Sequence, residues 1–429
     1  MRVTVVTGGS RGDVQPLVAL ALGMRRAGHE VLLSATRDAE ALVRGHGIGF
    51  RGSSYSIRDQ MTSAAGRRWV AGSQGRPLRE MKALTALTRE WAPTVARDLL
   101  GLAGSADLFV SGAMTVDAVA TLAERDGARH ACALLTPFHP TRDGVVAVPP
   151  LLPGRVHPLN RAAGRLTLWT VAGPFGLVGQ ALRQQLGLPP GGRRNFIEAM
   201  LHTPSVLGAS RVLVPPPEDW PNTEVTGDWP LPIEPGWSPP ADLVQFLDGA
   251  PPPVYIGFGS MSMSEQTGSG PAPAVEAMLD AVRRTGRRAV LSHSGGALPL
   301  GVLTGRPEIF VVGDMPHAWL FPRMSAVVHH GGAGTTHATL RAGVPSAAVP
   351  HVADQTYWGL RLHALGVGPA PLPRHRLDGR SLAGVISELT GSVQFATRAS
   401  ELAVEVSAEH GVEAAVRALG LADADRARS

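Results

Sequence analysis

The chain has 429 residues, 44% hydrophobic and 17% charged, with 51 glycines and 36 prolines. That length exceeds one ordinary core and predicts two domains, and the composition is too apolar for a disordered chain. The net charge is only +5, Lys82 is the only lysine, and no dense basic cluster interleaved with aromatics marks a nucleic-acid surface.

The N-terminus runs directly into a β-branched stretch, Val3 to Thr7, without the apolar core of a signal peptide. Cys132 is the only cysteine, so no intramolecular disulfide forms. Both features predict a cytoplasmic protein. A turn at Gly8-Gly9-Ser10-Arg11-Gly12-Asp13 follows, then helical spacing from Val14 to Ala27, then a strand from Glu30 to Ala35. This is a βαβ unit, the building block of a parallel sheet. Apolar runs at 108–111 and 131–135 extend it. Residues 52–77 and 137–158 are long irregular stretches of the kind that form lids or binding loops. Residues 166–182 carry no charge and approach spanning length, but Gly173-Pro174, Gly176 and Gly179 break the run. A buried or interfacial segment is expected, with no stable membrane insertion and peripheral association left open.

A proline- and tryptophan-rich segment then leads to Pro251-Pro252-Pro253, and a second α/β half starts at Val254. Further strands are predicted at 289–292, 309–312 and 326–329, and a helical stretch at 392–419 ends in a polar tail. The predicted organisation is a first domain over 1–220, a linker over 221–252, a second domain over 253–405, and a C-terminal helix and tail over 406–429 that can pack back on the first domain.

The strongest local signal is Val327-Val328-His329-His330-Gly331-Gly332-Ala333-Gly334-Thr335-Thr336. A strand, a glycine-rich turn and a helix start make an anion site, because free N–H groups and the positive helix end converge there. An ordinary capped βα turn has the same pattern, so both readings stand. The histidines 329, 330, 337 and 351 invite a metal reading, but no carboxylate or cysteine joins them in a zinc pattern, and no metal is expected. Gly257-Phe258-Gly259-Ser260 is either a second phosphate contact or a plain strand-to-loop turn. Asp13 occupies the corresponding place in the first half, where an aspartate at a helix start is usually a cap.

These motifs, with Met315-Pro316-His317, Pro345 to Gln355, and Val225-Thr226-Gly227-Asp228-Trp229, resemble family 1 of the glycosyltransferases. The similarity is to its bacterial antibiotic and sterol 3β-glucosyltransferase members, and it extends over nearly the whole chain. The resemblance implies an α/β chain of GT-B architecture, two Rossmann-like domains facing each other across a cleft. It implies Asp13 as general base, and a donor diphosphate held by Ser260, His330, Gly332, Gly334 and Thr335. Met315 and His317 would hold the nucleoside, and Asp354 and Gln355 the donor sugar. It also implies an inverting transfer without cofactor or metal, from a UDP- or dTDP-sugar to a lipophilic acceptor, by a monomer or homodimer. Plant relatives carry a base-stacking tryptophan where this chain has Asp314; Trp319 is expected to pack within its helix. Met61, Trp69, Phe138 and Trp169, with Phe175, are expected to line the acceptor site. The alternatives are a sugar-nucleotide epimerase of the same fold and an inactive binding or helper homologue.

Overall fold

The computed structural model describes residues 1–66, 77–249, 251–259, 273–292, 306–351 and 354–422. The chain forms two units, Met1–Pro232 with Glu409–Ser429, and Ile233–Ala408.

Among the described residues, the first unit is built on seven parallel strands: β1 (Arg2–Val6), β2 (Glu30–Thr36), β3 (Gly49–Ser53), β4 (Leu108–Gly112), β5 (Arg129–Leu134), β6 (Ser205–Leu207) and β7 (Thr223–Val225). Their order is β3-β2-β1-β4-β5-β6-β7. The central strands read as continuous apolar runs because helices cover both faces. On one face Val3, Val5 and Val110 pack with Leu17 and Leu20 of the helix Arg11–Arg26. Val412, Ala415 and Val416 of the helix Gly411–Ala418 join that same core. On the other face Val6 and Phe109 meet Ala96, Val119 and Val178, from the helices Pro77–Leu100, Val116–Asp126 and Pro158–Gln185.

The segment expected to be broken at Gly173-Pro174, Gly176 and Gly179 lies inside one continuous helix, Pro158–Gln185. These glycines act by close approach rather than as breaks. A Cβ on Gly176 would lie 2.9 Å from the carbonyl carbon of Gly192, and one on Gly179 would overlap the Asp117 carboxylate. The helix is thus held by neighbours that sit directly against its backbone, and packing outweighs the low intrinsic propensity of Gly and Pro. Residues 137–157 do form a long loop, tied to this helix by the fully buried Asn160. The Asn160 amide oxygen accepts from the N–H of Leu151 at 3.0 Å and Leu152 at 2.8 Å, and its nitrogen donates to Arg155 O at 2.8 Å.

The second unit carries five parallel strands among its described residues: β8 (Val254–Gly257), β9 (Ala289–Ser292), β10 (Ile309–Val312), β11 (Ala326–His329) and β12 (Ser346–Ala348), in the order β10-β9-β8-β11-β12. Each sheet reverses its strand order once, between β1 and β4 and between β8 and β11. Open α/β sheets bind ligands at the carboxyl ends of the strands at such switch points.

Candidate functional site

In the second unit the switch point is occupied by the glycine-rich turn. His329 ends β11 in register with Gly257 on β8 and Ala348 on β12. His330 and Gly331 then turn the chain, and Gly332 caps the helix Ala333–Ala342. The first backbone bond of that helix runs from Thr336 N to Gly332 O at 3.0 Å. The N–H groups of Ala333, Gly334 and Thr335 stand ahead of it, at the positive end of the helix dipole. Gly334 is exposed, Gly332 and Thr335 are partly buried, and Thr336 is fully buried.

Glycine is required around His330. A Cβ on Gly332 would overlap the His330 ring at Nε2, and one on Gly259 (φ +68°) would lie 3.1 Å from its Cε1. The imidazole therefore lies directly over two stretches of bare backbone. Burial, then the nearby His351 and His317, lower its pKa to about 4, so it is neutral at pH 7, with one donor and one acceptor nitrogen. His329 is fully buried, and its Nδ1 accepts the Gly331 N–H at 3.0 Å. That bond places the His329 proton on Nε2, which has no hydrogen-bond partner among the described residues.

The neighbouring loops close on this turn. After β12, Gln355 is buried, and its Oε1 accepts from His351 N at 2.7 Å. Asp354 Oδ2 accepts from the indole of the fully buried Trp358 at 2.7 Å. A Cβ on Gly331 would lie 2.6 Å from Gln355 O, and the rings of Phe258 and His351 are 5.4 Å apart. After β10, Met315 is partly buried against the core that contains Tyr255 and Phe321. His317 stacks on Phe321 with centroids 4.2 Å apart. Trp319 packs edge-on against Trp237 at 5.6 Å, with the Arg323 guanidinium over its ring. Ser260 lies outside the described residues. Among those described, no group of three or more His, Cys, Asp or Glu comes together in a way that could hold a metal ion.

In the first unit Asp13 lies in the first turn of the helix Arg11–Arg26, partly buried. Its Oδ2 accepts from the backbone N–H of Ser10 at 2.8 Å and from the Ser10 hydroxyl at 3.2 Å. Gly9 has φ +104°, and a Cβ there would overlap the Asp13 carboxylate and lie 2.8 Å from Met114 Cε. The loops after β1 and β4 thus meet around Asp13. Of the residues expected to line an acceptor site, Phe138 is partly buried on the loop after β5. Trp169 is 50% exposed with the Arg193 guanidinium carbon 4.0 Å from its ring centroid. Phe175 packs against buried Phe196 at 6.1 Å, a core contact. Met61 belongs to the helix Ile57–Thr62, its side chain being outside what is described, as is all of Trp69. Sequence reasoning missed Met114 beside Asp13 and the loop-tying Asn160, and it grouped His351 with His330 only as a metal candidate. His351 had a local signal in its short spacing to Gln355, whereas Met114 had none.

Residues 3–122 match the glycosyltransferase family 28 N-terminal domain, and residues 290–419 match the erythromycin biosynthesis protein CIII-like C-terminal domain. The chain is 33% identical over 425 residues to the O-mycaminosyltylonolide 6-deoxyallosyltransferase of Streptomyces fradiae, covering 96% of this chain and 95% of the relative. It is 30% identical over 439 residues to a sterol 3-beta-glucosyltransferase of Arabidopsis thaliana, covering 97% of this chain and 65% of that relative. In fold it is similar to the glycosyltransferase VinC in complex with dTDP (TM-score 0.64, 19% identity, 98% of this chain and 99% of that one). It is also similar to the spinosyn rhamnosyltransferase SpnG complexed with spinosyn aglycone (TM-score 0.64, 20% identity, 98% and 100% covered). Two parallel sheets of this topology and a relative matched nearly end to end make the chain a member of the GT-B glycosyltransferases, homologous to macrolide glycosyltransferases and sterol 3-beta-glucosyltransferases.

Proposed function

We propose that this glycosyltransferase moves a sugar from a UDP- or dTDP-linked donor to a hydroxyl of a lipophilic natural-product or sterol-like acceptor, with inversion and without a metal. The observation that carries the reading is the His330 turn, whose first-turn N–H groups and neutral imidazole gather at the switch point of the second sheet. Expulsion of a nucleoside diphosphate needs donors aimed at its developing charge, and fixed N–H groups at a helix start supply them with little reorganisation. Thr335, Gly332, Gly334 and Ser260 complete that set. Met315 and His317 take the nucleoside, and Asp354 and Gln355 the sugar hydroxyls. The second domain, 253–405, holds the donor in this scheme.

Asp13 removes the proton of the acceptor hydroxyl while its oxygen attacks the anomeric carbon from the face opposite the diphosphate. An α-linked donor then yields a β-glycoside. A carboxylate that accepts two hydrogen bonds at a helix start is a weak base, which suits a proton that moves late, once the attacking oxygen has become acidic. The first domain, 1–220, holds the acceptor, with Met61, Trp69 and Phe138 as lining; Trp169, expected there too, is half exposed beneath the Arg193 guanidinium. The relatives support this acceptor class, since one acts by name on O-mycaminosyltylonolide, one on a sterol, and one is complexed with spinosyn aglycone. A single, buried cysteine suits a reducing cytoplasm.

The test is a donor-by-acceptor screen read by mass spectrometry, pairing uridine and thymidine diphosphate sugars with lipophilic aglycones in chelator. A glycoside and an equivalent of nucleoside diphosphate are expected. An epimerised donor with no glycoside for any acceptor, or turnover that requires a divalent ion, overturns the proposal.

A further inference from the structure

Five of the eleven exposed large hydrophobic side chains among the described residues lie between positions 151 and 169: Leu151 (56%), Val156 (71%), Leu159 (50%), Leu166 (65%) and Trp169 (50%). Leu159, exposed Ala162, Leu166 and Trp169 follow the 3-4-3 spacing of one face of the helix Pro158–Gln185. That face looks to water while other sides of the helix pack into the first unit's core. Its surroundings are cationic. Arg142, Arg161 and Arg165 line a groove of about 380 Å³ with Pro158 and Ala162. The buried Nε of Arg161 has no acceptor among the described residues, and Arg193 stacks on Trp169. Residues 144–197 contain no aspartate or glutamate. Of the nearby acids, Asp219 and Glu198 face Arg142 at 3.9 Å and Arg194 at 3.8 Å, and Asp143, whose backbone bridges to Val156, accepts from Val145 N at 2.7 Å.

We propose that this face of the first unit docks on the surface of an anionic phospholipid bilayer, with Leu159, Leu166 and Trp169 entering the headgroup boundary and Arg161 and Arg165 meeting lipid phosphates. An apolar stripe bearing tryptophan and flanked by arginines is the pattern of a helix that lies in the membrane interface. No described helix is long and apolar enough to cross the bilayer, so the contact is peripheral. The charge pattern selects an anionic surface over a neutral one, because each arginine near such a surface adds attraction that salt screens. This docking goes beyond the proposed reaction and is independent of which acceptor is used.

The experiment labels Leu166→Cys with an environment-sensitive fluorophore; Cys132, the only native thiol, is fully buried and does not compete. Vesicles of phosphatidylcholine with phosphatidylglycerol should shift the emission to the blue, and phosphatidylcholine alone should not. A label at Val404→Cys, 74% exposed in the second unit, should stay unchanged. The double variant Arg161→Ser, Arg165→Ser should partition about twenty-fivefold less, roughly fivefold per arginine, and Leu166→Glu should not bind in co-sedimentation. A label that ignores anionic vesicles, responds equally to neutral ones or equally at Val404 overturns the proposal. So does a shift that depends on protein concentration without vesicles, which would identify a second copy as the occupant.

Discussion

Replacing Asp13 by asparagine separates the helix-start role that the structure shows for its carboxylate from the general-base role proposed for it. Asp13 Oδ2 receives both the N–H and the hydroxyl of Ser10, so part of its role is to close the start of the helix Arg11–Arg26. Asparagine keeps an oxygen in the same place and loses the negative charge, which at a helix start is worth about 0.3–1 kcal/mol. Alanine removes the acceptor as well, for a total of about 1–2 kcal/mol. In a domain of this size each kcal/mol lowers Tm by roughly 2–4 °C, so Asp13→Asn should melt within a few degrees of the parent. Turnover should behave differently. A general base contributes about 10²- to 10⁴-fold, equivalent to about 3–5 kcal/mol of barrier, and asparagine abolishes it as fully as alanine does. The assay is kcat and the KM for donor, alongside thermal melts, for Asp13, Asp13→Asn and Asp13→Ala. A fall of two or more orders of magnitude in kcat for both variants, with donor KM near the parent value, is expected. If Asp13→Asn keeps parental turnover while Asp13→Ala loses it in step with stability, Asp13 is a cap and the base lies elsewhere.

Three further predictions concern the His330 turn. His330 is held near pKa 4 by burial and by His351 and His317, so between about pH 4 and 6.5 the unfolded chain binds a proton that the folded unit does not. Stability from this group is therefore complete above pH 6.5 and lost as the pH falls towards 4, by up to about 3 kcal/mol; His351 and His329 shift in the same direction. Melts at pH 7.5 and 5 should show the loss, and His330→Gln should reduce it, the other buried histidines keeping the rest; an unchanged slope would place His330 in water. Gly332→Ala puts a methyl into the His330 ring and should weaken nucleoside diphosphate binding at least tenfold by calorimetry, whereas parental affinity would mean that the ring is not part of the site. His329→Asn retains an acceptor for the Gly331 N–H and should bind nucleotide about tenfold better than His329→Phe, which leaves that N–H unpaired at about 1–3 kcal/mol. Equal affinities would show that the Gly331 bond does not shape the turn.

The features legible from sequence are those that local chemistry dictates. A β-branched run, a glycine turn and a helix start must follow one another at β1 and again at β11, because free N–H groups and positive φ values leave few alternatives. Asp13, His330 and the segment Asp354-Gln355 were therefore locatable from short motifs. Contacts between distant segments were not. Met114 comes up to Gly9, beside Asp13, only because β4 pairs with β1, and His351 comes near His330 only because β12 lies beside β11. The same reason explains the misread helix Pro158–Gln185. Gly176 and Gly179 look like breaks in sequence, yet they let Gly192 and Asp117 press against a helix backbone that packing keeps intact. The sequence by itself determined two βαβ-built halves and the residues at their strand ends. Tertiary structure decided which of those residues meet, because a glycine's missing side chain is filled by a neighbour that only the folded chain supplies.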